Sequence, residues 1–187
     1  MKSFYLCLSL FLGMLCISCG SSPKDISEKI AEQGELSTND RDAVFEYLDK
    51  ILDDENFGSN DSIIAKSYPQ MQELCVFVAK SDEPQMSQKI DTLISHARQK
   101  GKMGVYSSNP VYVIIGNRPG NLPASALQTE ATKLYLTAAL NSGLSGEKLD
   151  ARFPNMQSII NDWSSSSDDA KKSAVKEALK AAIPGYN

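Results

Sequence analysis

From Ser22 onward the chain is punctuated by helix-start signals, and this punctuation constrains its fold more than any other feature. Ser22-Pro23-Lys24-Asp25 offers an N-cap serine, a proline at the first helical position and an acid in the first turn. Ser37-Thr38-Asn39-Asp40 opens a second helix, whose apolar residues Val44, Tyr47, Leu48, Ile51 and Leu52 follow helical spacing. Asn60-Asp61-Ser62 starts a short helix to Ser67, and Pro69 starts another with Met71, Leu74, Cys75 and Val78 inward. Val76, Phe77 and Ala79 make that helix apolar almost all round, which predicts a central position. Ser81-Asp82-Glu83-Pro84 opens the next, closed by Gly101. A long helix is expected over 121–142, a further one after Phe153-Pro154, and a last one capped by Ser167-Asp168-Asp169. The expectation is an all-α, compact multi-helix bundle of about six to eight helices, in a single domain over 23–187.

Val105-Tyr106 and Val111-Tyr112-Val113-Ile114-Ile115 break the helical pattern with β-branched and aromatic residues. They read as a short hairpin at 103–115, or as a buried helix capped by Asn109-Pro110 and ended by Gly116. A lone hairpin needs a partner surface, which favours the helix. Tyr68-Pro69-Gln70-Met71-Gln72 is echoed 85 residues on by Phe153-Pro154-Asn155-Met156-Gln157. The flanking patterns also correspond, so 37–100 and 122–183 read as two three-helix pseudo-repeats, or as a chance product of common capping residues.

The first nineteen residues are different. Lys2 is followed by an apolar run (Phe4, Leu6, Leu8, Leu10, Phe11, Leu12, Leu15) of secretory-signal length, too short to span a bilayer. The chain turns polar after Cys19. Cys16-Ile17-Ser18-Cys19, with small Ser18 before the cysteine, resembles the cleavage box of a bacterial lipoprotein signal, and its looseness is similar to that of Bacteroidetes lipoproteins. Cys16 stands where that family usually has Leu. The resemblance implies a signal peptide at 1–18, cleavage before Cys19, lipid attachment (diacylglycerol and a further acyl chain) at Cys19, and a lipidated tether at 19–22. Gly20 rather than Asp after the cysteine implies the outer membrane, with its periplasmic and surface faces both open.

Three of the four cysteines lie in the first 19 residues, so a lipidated Cys19 leaves Cys75 without a disulfide partner. Residues 24–61 hold twelve acids and four bases, and residues 62–187 hold eleven acids and fourteen bases. Net charge −4 and a pI near 5.1 disfavour nucleic acid as a partner. The expected partners are the membrane, through the anchor, and a protein or other envelope macromolecule.

No residue set stands out as catalytic. Cys75 and His96 are the one Cys–His pair in the mature chain, but the thiol falls on an apolar helix face. Asp53–Asp61 has the composition of a calcium loop with Phe57 and Ile64 at ligand positions, so no metal site is expected. Gly116–Asn121 could cradle an anion but matches no nucleotide fingerprint, and no cofactor is expected. Trp163 continues the apolar face of its helix. Tyr106, Tyr112 and Arg118 are the candidate ligand-binding residues. The leading expectation is a membrane-anchored envelope lipoprotein with a non-catalytic interaction or scaffold domain. The alternatives are a glycan or small-molecule capture lipoprotein and, behind it, a carboxylate-dependent hydrolase.

Overall fold

A computed structural model describes residues 21–187; the signal segment and Cys19 lie outside the described residues. The fold is all-α, with ten α-helices, one 3₁₀ turn and no strand among the described residues. The helices are α1 (Pro23–Gln33), α2 (Thr38–Asp53), α3 (Asp61–Ser67), α4 (Met71–Lys80), α5 (Pro84–Gln99), α6 (Pro110–Asn117), α7 (Ala126–Asn141), α8 (Glu147–Arg152), α9 (Met156–Ser165) and α10 (Asp169–Ala182). None is long and apolar enough to cross a membrane.

Local chemistry explains most boundaries. Ser22, Ser37, Asn60, Asn109, Ser125 and Asp168 each cap a helix with a side-chain oxygen. One alternative is decided and one expectation needs correction. Of the two readings of 103–115 the hairpin does not form and the favoured helix does: residues 110–117 are helical, because Asn109 caps the turn and Pro110 fixes the first helical φ. The helix expected from residue 121 begins only at Ala126. Residues 119–123 stay open because the buried Lys171 Nζ donates to Gly120 O (2.6 Å) and to Leu122 O, turning those carbonyls away from any helical partner.

α4 is central, as its composition predicts: Leu74, Cys75, Val78 and Ala79 are buried and pack with α6. α2 and α5 run parallel. Their polar contacts ascend together, from the Arg41–Glu83 ion pair (2.9 Å) through Asp42–Lys89 and the Asp49–His96 contact (3.2 Å) to the Asp53–Lys100 ion pair (3.2 Å). Each pair is partly solvated and adds little energy, but together they fix the register.

The stretches around the two Pro-started helices share geometry beyond their sequence echo. α2 and α7 have 16 residues each, α3 and α8 have 7 and 6, α4 and α9 have 10 each, and α5 and α10 have 16 and 14. Tyr68, after α3, has φ −127° and ψ 62°; Phe153, after α8, has φ −129° and ψ 71°. Tyr47 of α2 meets Tyr68 edge-on at 5.5 Å and 64°, and Tyr135 of α7 meets Phe153 at 5.5 Å and 65°. The matching unit has four helices in each stretch, because a short helix precedes the aromatic-proline corner.

Candidate functional site

A cleft of about 400 Å³ opens beside α6, between the helices α3 and α4 that flank one aromatic-proline corner and the end of α8 with Pro154 of the other. One wall comes from α3 and the start of α4 (Asp61, Ser62, Met71, Gln72), the opposite wall from the end of α8 (Ala151, Arg152) and Pro154. Tyr106, Tyr112 and Tyr135 line it from the core side. A hollow of about 280 Å³ adjoins it, sharing Asp61, Tyr106, Ser107 and Arg152 and bounded by Gly58 and Val105. The volume lies within the usual range for small-ligand sites.

The aromatic lining is rigid. Tyr106 and Tyr112 rings lie 5.0 Å apart, and Tyr112 stacks on Tyr135 at 5.6 Å and 21°. Tyr112 Oη donates to Met103 O, and Tyr135 Oη to Pro154 O, both at 2.7 Å. Burial pushes both phenol pKa values well up, so they remain protonated donors. Tyr106 is half-buried, and its hydroxyl makes no hydrogen bond among the described residues. The segment carrying Tyr106 is held by Asn109, whose Nδ2 donates to Val105 O (2.8 Å) and Lys102 O (3.2 Å). On the other side Gly58, at φ 79°, lets Val105 approach; a Cβ there would sit 2.9 Å from Val105 Cγ2.

Two non-glycine residues among the described residues have positive φ. Ser108 (φ 53°) lines the cleft, and Asn155 (φ 59°) follows the lining Pro154.

The three candidate ligand residues do not come together. Tyr106 and Tyr112 line the cleft, but Tyr112 is only 1% exposed, so Tyr106 supplies the accessible ring. Arg118 is buried away from it, donating through Nη2 to Ser87 Oγ (2.9 Å) and Pro123 O (3.1 Å) and tying α5 to the loop before α7. Burial lowers its pKa, partly opposed by the charge of Asp91. The arginine that does line the cleft is Arg152, which the sequence reading passed over. It ends α8 before Phe153-Pro154, where the other corner has Ser67 before Tyr68-Pro69, and nothing in the local pattern marks it as a cleft residue.

The other candidates are committed to structure. Cys75 is buried with its thiol pKa pushed up by desolvation and donates to Pro110 O (3.7 Å), while His96 pairs with Asp49. Trp163 is buried beneath Lys171 Nζ, 5.3 Å from its ring. Asp54 turns its carboxylate onto Asn56 N (2.8 Å) and Tyr68 Oη (3.1 Å), and no cluster of three or more metal-ligating side chains occurs among the described residues. The Gly116–Asn121 loop presents carbonyls, not amides, to its buried charge, the reverse of an anion cradle. A larger hollow of about 640 Å³ beside it has its strongest polar groups already paired: Lys171 with the loop, Asp168 with the first turn of α10.

Comparison with protein families, curated proteins and solved structures finds no match to this chain.

Proposed function

We propose that this chain is a lipid-anchored envelope protein whose non-catalytic helical domain holds the corner cleft away from the membrane to engage a partner or ligand. The observation that carries this reading is the placement of the anchor-side and cleft-side groups at opposite ends of α2. Lys29 Nζ donates to Ser21 Oγ (2.7 Å) and to Asp40 in the first turn of α2, so the chain is tied to the domain at a point two residues from Cys19. Two residues reach at most about 7 Å. Gly58 and Val105, beside the cleft, lie past the other end of this 16-residue helix, about 24 Å away at 1.5 Å per residue. A diacylated Cys19 would thus seat the α1 end against the bilayer and aim the cleft outward.

Cys19→Ala is expected to move the protein from the membrane to the soluble fraction and to abolish lipid labelling. Full membrane retention of the variant would sink the anchor.

The cleft favours small-molecule capture as the second reading. It offers one accessible aromatic ring, several hydroxyls and two charged groups in a volume suited to a small ligand. It contains one carboxylate, Asp61, and so does not provide the acid pair that glycosidase-type hydrolysis needs.

The anchor-side junction is pH-sensitive. The hydrogen bond from Lys29, helped by Ser37 and Ser21, holds the Asp40 carboxyl down to about 2 from its ordinary 3.8. Its stabilising contribution is therefore complete above pH 4 and lost as pH falls through about 2. Asp40→Asn is expected to be less stable at neutral pH and to show a shallower loss of stability between pH 4 and 2, measured by urea unfolding across that range.

A further inference from the structure

We propose that the corner cleft binds a small zwitterion, an α-amino acid or short peptide, with Arg152 receiving its carboxylate, Asp61 its ammonium group and Tyr106 its apolar body. This rests on the capture reading above and names the ligand's chemistry. Asp61 and Arg152 are opposite charges that line both the cleft and the adjoining hollow. Neither is in an ion pair with another described residue. Arg152 is held over the Phe153 ring, 5.8 Å from its centroid, leaving the guanidinium's hydrogen-bonding edge to a ligand. The half-buried Tyr106 ring and the side chains of Ser62, Ser107 and Ser108 line the same cleft.

The two matching corners act as an internal control on what the fold itself demands. Both end a short helix in an aromatic residue of nearly identical backbone angles followed by proline, yet the position before the aromatic is Ser67 in one and Arg152 in the other. A corner of this shape is built without arginine, so Arg152 is not there to make the turn. Tyr135 Oη and Tyr112 Oη are occupied by backbone carbonyls. The accessible polar groups are therefore one acid, one guanidinium, the Gln72 carboxamide and hydroxyls; the two opposite, unpaired charges complement a molecule carrying both charges better than a neutral sugar.

The test is calorimetric titration of the purified full chain with phenylalanine, the dipeptide Ala-Phe, N-acetyl-Ala-Phe-amide and the neutral disaccharide cellobiose. Saturable binding of phenylalanine or Ala-Phe is expected, the stronger of the two setting the ligand's length. Blocking both termini should weaken binding at least tenfold. Arg152→Gln and Asp61→Asn should each weaken it about tenfold, with circular dichroism unchanged because both side chains are exposed. Equal binding of the blocked peptide, binding of cellobiose in place of the zwitterions, or binding of none of the four would overturn the assignment. The Cys19→Ala protein should bind as the native chain does, so a failed titration leaves the anchor standing and a failed anchor leaves the site standing.

Discussion

Replacing Tyr135 with alanine is expected to cost about 3–5 kcal/mol of folding stability, the range for removing a buried aromatic side chain. Tyr135 is 1% exposed. Its ring stacks on Tyr112 and meets Phe153 edge-on, and its hydroxyl is bonded to Pro154 O. Deleting it leaves a void between α7, α6 and the corner after α8, and an unpaired carbonyl at the cleft wall. Tyr135→Phe keeps the ring and removes one hydrogen bond to a buried carbonyl, so about 1–2 kcal/mol is expected. The matched contact in the other half gives a second measurement. A double-mutant cycle on Tyr47 and Tyr68 should return a coupling close to that on Tyr135 and Phe153, since ring separation and tilt agree. Urea unfolding midpoints of the single and double variants decide both points; a Tyr135→Ala protein as stable as the native one would show that this cluster is not the hub of the fold.

Asn109→Ala is expected to cost about 3 kcal/mol, although it removes few apolar atoms. Asn109 is fully buried, accepts from Val111 N (3.0 Å) as the α6 cap, and donates to Lys102 O and Val105 O. Alanine leaves Val111 N and Val105 O without partners and strips Lys102 O of one of its two donors, the other being Val105 N. Asn109→Asp retains the cap acceptor but loses both donors, so it is no substitute. Amide exchange should accelerate over residues 102–109 in both variants, and ligand affinity should fall with it, because this segment positions Tyr106. Unchanged exchange there would mean that the segment is held by Tyr112 and Met103 alone.

The helical architecture was legible because capping side chains mark the starts and the apolar residues keep helical spacing. Ser22, Ser37, Asn60 and Asn109 act at the positions the sequence indicates. Where the reading wavered or missed, the reason is physical. α6 is buried on nearly every side, so its hydrophobic pattern has no period to read, and only Asn109-Pro110 distinguishes helix from strand. α8 has six residues and buries none, so it leaves no apolar signature. α7 starts later than the sequence pattern predicts because Lys171, almost fifty residues away, claims the carbonyls of Gly120 and Leu122. The cleft was half legible. Tyr106 and Tyr112 are close in sequence and in space. Arg118 lies six residues beyond Tyr112, roughly 240° round the helix axis, and belongs to another wall. Arg152 reaches the cleft by tertiary packing, which no local spacing encodes.

The parallel pairing of α2 with α5 has a kinetic consequence. Antiparallel neighbours can zip from a short turn, but these two helices meet start to start only after the chain has travelled through α3 and α4. Closing a loop of about forty-five residues sets an entropic cost of roughly 3 kcal/mol before the first α2–α5 contact forms. The rate of folding should then be set by the return of α5 rather than by helix formation, slower than for an up-and-down bundle of the same size.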